Sequence, residues 1–435
     1  MRLQIISINN SIGGFLIVES IMVISLFSIF IISALYFKIS IDKIKFWSIN
    51  ELPDIEDKIK ILDQFIKNDN YKGEYFGNYT KLVKLFPFEF TKSDLLNSWG
   101  SSSCYPRIKY DNSNLSINNI GIDIGLGNKS TNIEIRNSYV YLSADSSITS
   151  LPDLYIIDNT DDSKPYIVSS MNTGPGIASL TVAGPYLYLA NTSINSHLQI
   201  LDIHDRNSPH IISQLKLPLP NASTTPTRSA SISYNNGYVF LGTNKWDGPE
   251  LSIIDVKDPS NPIIVGTFDT DTLINDIFVY DDKAYLATSD IYQMRVLDIT
   301  DKSAPKLHSI FTSSGWQVQQ GKVISLFENL IILGRTVGGI NRTNNHELFL
   351  FSTSTSLNMT ISRDIPSGVY GLIVGSSDIF VLTHDINREF QIWSSDLLNK
   401  KYEIGLNSSP ISMKCDRSKI YFATGDSRGF ISIKL

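Results

Sequence analysis

The sequence predicts an all-β, seven-bladed propeller over residues 115–435, preceded by an N-terminal transmembrane helix and a small α-containing connecting region. Three observations carry this expectation. A strand–turn–strand segment recurs along the chain, a hairpin-like element precedes each copy, and one long apolar run lies near the N-terminus.

The recurring segment reads LYIIDNTDDSKPYIV from Leu154, LQILDIHDRNSPHII from Leu198, LSIIDVKDPSNPIIV from Leu251 and MRVLDITDKSAPKLH from Met294. Each copy holds an apolar strand, an aspartate, a polar turn closed by proline and a second strand. The reference aspartates Asp158, Asp202, Asp255 and Asp298 stand 44, 53 and 43 residues apart. NSYVYLS, GPYLYLA, NGYVFLG and DKAYLA precede the four copies, and Asn-Gly between strand-like runs is a strong hairpin signal. Weaker copies follow: FENLIILG with ELFLFST, SDIFVLT with FQIWSS, and SKIYFAT with FISIKL. Together these give seven four-stranded units, none able to bury both faces alone, for which a closed ring is the natural solution. Six or eight blades are the alternatives.

The consensus strand-Asp-x-x-Asp-x-Ser-x-Pro resembles the LVIVD repeat of surface-exposed propeller proteins, well over residues 137–312 and weakly afterwards. The last unit lacks a fourth strand. The alternating stretch between Leu115 and Leu126 is expected to supply it, removing two open sheet edges. Cys104 lies just upstream of that stretch and Cys415 within the blade it completes. A disulfide between them would latch the ring; two independent buried thiols are the alternative.

Phe15 to Phe37 form a 23-residue apolar run. As a helix it is about 34 Å long, enough to cross a hydrocarbon core of about 30 Å. Its single charge, Glu19, is costly in lipid and calls for a partner or a function. Gly13-Gly14-Phe15-Leu16-Ile17-Val18-Glu19 ahead of that run resembles the prepilin signature of type IV pilins and type II secretion pseudopilins. The resemblance implies a leader at 1–14, cleavage between Gly14 and Phe15 by a prepilin peptidase, and N-methylation of Phe15. It also implies that Glu19 pairs with the N-terminal amine of a neighbouring pilin-like subunit. Arg2 is the leader's one basic residue, and Lys38, Lys43 and Lys45 follow the run, so the positive-inside tendency favours the opposite orientation. A plain signal anchor is the alternative.

Residues 38–114 form the connecting region. Pro53 suits a first helical turn, and Ile55, Ile59, Leu62 and Ile66 recur at helical spacing behind it. In pilins the first helix usually continues into the head, whereas Pro53 marks a break or a fresh start here.

A net charge of −6 with no basic run argues against a nucleic-acid partner. Two cysteines and six scattered histidines offer no metal or redox spacing, so no cofactor is expected. GIDIGLGNKS, from Gly121, imitates a phosphate loop, but its lysine does not follow the last glycine and no helix pattern follows. No nucleophile elbow is present, and the chain is read as a binding protein, not an enzyme. The repeat aspartates are expected to brace their own turns.

Strand order places each second-to-third-strand loop on the same face as the connection to the next blade, opposite the Asp-x-Ser-x-Pro turns. The candidate binding loops are therefore 143–153, 243–250 with Trp246 and Asp247, and 335–347 with Arg335, Arg342 and His346. The function expected is a membrane-anchored, pilin- or pseudopilin-like surface protein displaying its propeller for adhesion or for protein or glycan binding. A signal-anchored propeller outside any filament, or an exported propeller enzyme, are the rival readings.

Overall fold

The computed structural model describes residues 116–118, 121–125, 128–146, 151–218, 226–313, 320–327, 330–336, 346–352, 357–365, 367–374, 378–416 and 419–434. The chain divides into two units, Met1–Phe90 and Thr91–Leu435, and every described residue belongs to the second. The leader, the apolar run, Glu19 and the connecting region lie outside the described residues. Among the described residues no helix is long and apolar enough to cross a membrane.

Seven antiparallel four-stranded sheets follow one another along the chain. Blade 1 opens with Asn128–Arg136, blade 2 with Ile177–Ala183, blade 3 with Ser229–Asn235 and blade 4 with Ile274–Tyr280. Blades 5, 6 and 7 open with Gly321–Phe327, Val369–Val374 and Pro410–Asp416. The blade count is thus seven.

The alternation within each strand explains the ring. Third strands such as Leu251–Asp255 are buried on both faces, while fourth strands such as Ile263–Phe268 are largely exposed. Seven apolar clusters result, each wedged between two neighbouring blades; Phe240, Leu251 and Ile277, for instance, join blades 3 and 4. Burial at about 25 cal/mol per Å² therefore stabilises contacts between blades, and no blade has a core of its own.

The ring closes as the sequence predicts. Ser116–Asn118 pairs antiparallel with Phe430–Lys434 as the outermost strand of blade 7, with Ser116 opposite Lys434 and Asn118 opposite Ser432. The chain then runs inward past Arg428, where the N–H of Ile122 donates to the Arg428 carbonyl at 2.9 Å. Gly121 permits that approach, since a Cβ there would sit 2.4 Å from the same oxygen. Across the seam the Oγ of Ser130 donates to the Gly429 carbonyl at 2.8 Å, and Asn159 donates to the Tyr421 hydroxyl at 3.0 Å.

The repeat aspartates brace their turns. Asp158, Asp202, Asp255 and Asp298 each accept the backbone N–H two residues on, at 2.8–3.0 Å. Asp161, Asp205, Asp258 and Asp301 do the same one turn later. The second set does more structural work than solvated carboxylates would. A third repeat feature joins blades: Ser169 donates to the Arg206 carbonyl at 2.7 Å, and Ser213 to the Pro259 carbonyl at 2.6 Å. At the matching position of blade 3 stands Gly266, facing Lys302.

Candidate binding face and central channel

The residue just before each third strand is a buried hydrogen-bond acceptor in six blades, a regularity the strand pattern did not reveal. It is Asp153, His197, Glu250, Gln293, Glu347 or Glu389. Its side chain accepts a backbone N–H from the linker to the next blade. The donors are Thr173 at 2.6 Å, Leu217 at 3.1 Å, Thr270 at 2.9 Å, Ser313 at 3.4 Å, and Ile365 and Leu406 both at 2.8 Å. The signal was present in the sequence, as a polar residue abutting the apolar third strand in six of the seven blades.

One member of that set couples stability to pH. Burial pushes the Glu347 carboxyl up to about 7, with the neighbouring Asp364 carboxylate adding to the rise against the Ile365 N–H and Arg335. Between the ordinary glutamate value of about 4.3 and about 7, the folded chain keeps a proton that the unfolded chain has released. Raising the pH through that window therefore weakens the fold. Glu347→Gln keeps the acceptor and is expected to flatten that dependence. Urea midpoints at pH 5 and pH 7.5 would test this, and an unchanged slope would refute it.

The proposed loop residues divide. Trp246 is buried, with its indole N–H on the Pro249 carbonyl at 3.2 Å, while Asp247 beside it is exposed. Arg335 is also buried. It bridges blades 4 and 5 by donating to Gln293 at 3.1 Å and to the His346 carbonyl at 3.0 Å, and it lies over the Phe349 ring. His346 is half-buried against Ser362. Arg342 lies outside the described residues. Trp246 and Arg335 thus pack within their loops. The exposed apolar groups at the tips of second-to-third-strand loops are instead Ile194, Ile291, Tyr292 and Ile386, from blades 2, 4 and 6.

On the same face opens the central channel, a cavity of about 400 Å³ lined by the first strands of all seven blades. Near its start each first strand slips one residue in register against the second. Such a bulge re-aims the extra side chain. The extra residues, Thr131, Ala178, Ala230, Asn275, Lys322, Tyr370 and Ile411, form the outer layer of the channel wall. Beneath them lie Asn132, Ser179, Ser231, Asp276 and Ser412, and deeper still Glu134, Phe278 and Lys414.

The wall is charged. Glu134 and Lys414 pair at 2.8 Å across the seam between blades 1 and 7. Burial raises the Glu134 carboxyl, and Lys414 opposes the rise. Asp276 accepts the N–H groups of Ile324 and Ile277, both at 2.9 Å, and burial raises it too. Desolvation lowers Lys322, against the pull of Asp276. His384 stacks on Tyr370, with centroids 3.5 Å apart and planes 6° apart. Among the described residues no group of three His, Cys, Asp or Glu is placed to hold a metal.

Cys415 lies half-buried on the innermost strand of blade 7, and it is disulfide-bonded. Cys104 lies outside the described residues.

Taken together, these features define a β-propeller. Residues 228–270 and 274–313, blades 3 and 4, each match the LVIVD repeat family. Among solved structures the chain is similar to the WD40 propeller domain of Doa1, at 14% identity and TM-score 0.53, over 73% of this chain and 96% of that one. It is likewise similar to a catalytically inactive virginiamycin B lyase from Staphylococcus aureus with quinupristin, at 14% identity and TM-score 0.53, over 74% and 99%. The computationally designed Ika8 protein follows at 9% and 0.51, over 73% and 99%. At these identities the likeness is one of fold. Comparison with curated protein sequences gives no significant match.

Proposed function

We propose that this chain is a pilin- or pseudopilin-like, membrane-anchored protein that holds its propeller outside the membrane as a binding module for a protein or glycan partner. The supporting observation is the direction of chain entry. Ser116 pairs with Lys434, at the end of a third strand, so the chain joins the ring on the face of the Asp-x-Ser-x-Pro turns. The opposite face, with the channel mouth and the tips Ile194, Ile291, Tyr292 and Ile386, faces away from the point of attachment. Exposed apolar tips on a rigid scaffold suit partner recognition.

In this reading residues 1–14 are the leader, 15–37 the membrane helix and 38–114 a spacer, and Cys104 bonds Cys415 to latch the last blade. Coexpression with a prepilin peptidase should give a mature chain beginning at methylated Phe15. Digestion of the same protein without reductant should release one peptide pair holding both cysteines. Glu19→Ala should abolish co-purification with pilin-like subunits. A chain still beginning at Met1, or cut elsewhere, would overturn the pilin assignment. The rival reading, chemistry inside the ring, draws on the charged channel wall.

A further inference from the structure

The channel holds two desolvated charges that the protein does not pair. The ammonium of Lys322 is half-buried and has no hydrogen bond and no carboxylate within 4.0 Å among the described residues. It lies over the Tyr370 ring, 5.9 Å from Nζ to centroid. Asp276, one blade away, is held by two backbone N–H groups and has no cation within 4.0 Å among the described residues. The same wall shows that the fold can pair charges where stability asks for it, as Glu134 and Lys414 do. Desolvated charges are costly when unpaired, so two facing one cavity mark a vacancy for an outside partner.

A third group points the same way. Asn132 lines the channel with its Oδ1 buried and without a hydrogen-bond partner. Its Nδ2 donates to the Ser179 Oγ at 3.1 Å, which leaves Oδ1 as the spare acceptor. The second layer is otherwise built of the small residues Ser179, Ser231 and Ser412, which leave the volume open. About 400 Å³ lies within the range of small-molecule sites, too small for a folded partner.

We propose that the channel binds a small hydrophilic carboxylate whose far end donates hydrogen bonds, with the carboxylate on Lys322 and the donors on Asp276 and the Oδ1 of Asn132. Sugar acids, through hydroxyls, and amino acids, through an ammonium, share this chemistry. A carboxylate on Lys322 gains a charge-assisted hydrogen bond that water matches poorly in a narrow channel. A donor on Asn132 satisfies an acceptor that otherwise stays empty. The inference stands on the ring alone and does not depend on the N-terminal anchor.

Calorimetry on the purified full-length chain tests it with four probes: sodium glucuronate, alanine, glucose and acetate. Glucuronate or alanine is expected to bind, and whichever does identifies the source. Glucose lacks the carboxylate and acetate lacks the donors, so each should bind at least about tenfold more weakly. Lys322→Met should cost a further tenfold or so, Lys322→Arg should retain most of the affinity, and Asp276→Asn should weaken binding several-fold. The unfolding midpoint of each variant is read alongside. A folded wild-type chain that binds neither glucuronate nor alanine overturns the proposal. So does one that binds glucose equally well, and so does a Lys322→Met variant that is folded and binds as the wild type. Loss of Glu19 function leaves all four measurements unaffected, so the two proposals fail separately.

Discussion

Gly266→Ala should be among the most destabilising single methyl additions to the ring. Gly266 sits on the fourth strand of blade 3, Ile263–Phe268, with the turn of blade 4 pressed against it. A Cβ built there would lie 1.9 Å from the Lys302 carbonyl oxygen and 3.0 Å from its carbon. Both are backbone atoms of a turn already fixed by Asp301, so relief requires blade 4 to move as a body. Overpacking of this kind costs about 3 kcal/mol, or more where backbone must shift. The contrast lies at Ser169 and Ser213, which occupy the same repeat position and donate to the equivalent carbonyls. Alanine at either removes one hydrogen bond, worth about 1 kcal/mol. Urea denaturation of the three variants should rank Gly266→Ala far below the other two. Equal midpoints would show that the blades are not in the contact described.

Glu134→Ala should be nearly as damaging, for an electrostatic reason. It removes the carboxylate that pairs with Lys414 in the channel wall between blades 1 and 7, where the side chains of the pair are only 11% and 16% exposed. Removing one partner of a fully buried pair costs about 3–5 kcal/mol. Water in the channel screens Lys414, so about 2–3 kcal/mol is expected here. Replacing both residues together, as Glu134→Met with Lys414→Met, removes both buried charges and should recover most of the loss. If the double variant is no more stable than Glu134→Ala, packing and not charge explains the effect.

The ring was legible in the sequence because each blade repeats its own turn chemistry. The apolar run around Asp255 and the Asn236-Gly237 hairpin specify strand, turn and register locally. In that hairpin both residues adopt positive φ, as a tight turn between twisted strands demands. Even the closing strand at Ser116–Asn118 could be inferred, since an open edge in the last blade needed a partner. The channel was not legible. Lys322, Tyr370 and Asp276 belong to three blades and share no residue type; only the ring brings them together. The burial of Trp246 and Arg335 was not legible for a related reason. A variable loop advertises aromatic and charged side chains without revealing which of them fold inward, as both do. The buried acceptors that tie six of the linkers were visible one residue before the third strand. Polar residues at strand ends are so ordinary that only the hydrogen bonds give them meaning.

Blade 7 has a consequence for how the molecule comes into being. Its outer strand comes from residues 116–118 and its other three from 410–434, so its sheet joins chain segments about three hundred positions apart. Contacts of such separation form late, because the entropy of closing so long a loop precedes any reward. Translation supplies Ser116 about three hundred residues before Lys434, so six blades can assemble while the seventh still waits for residues 410–434. During that interval blades 1 and 6 each keep an uncovered flank, exposing Ile133 and Phe380 that later lie between neighbours. This interval is when a holdase has most to protect. A ribosome stalled before residue 410 should hold the most chaperone-prone form of this protein.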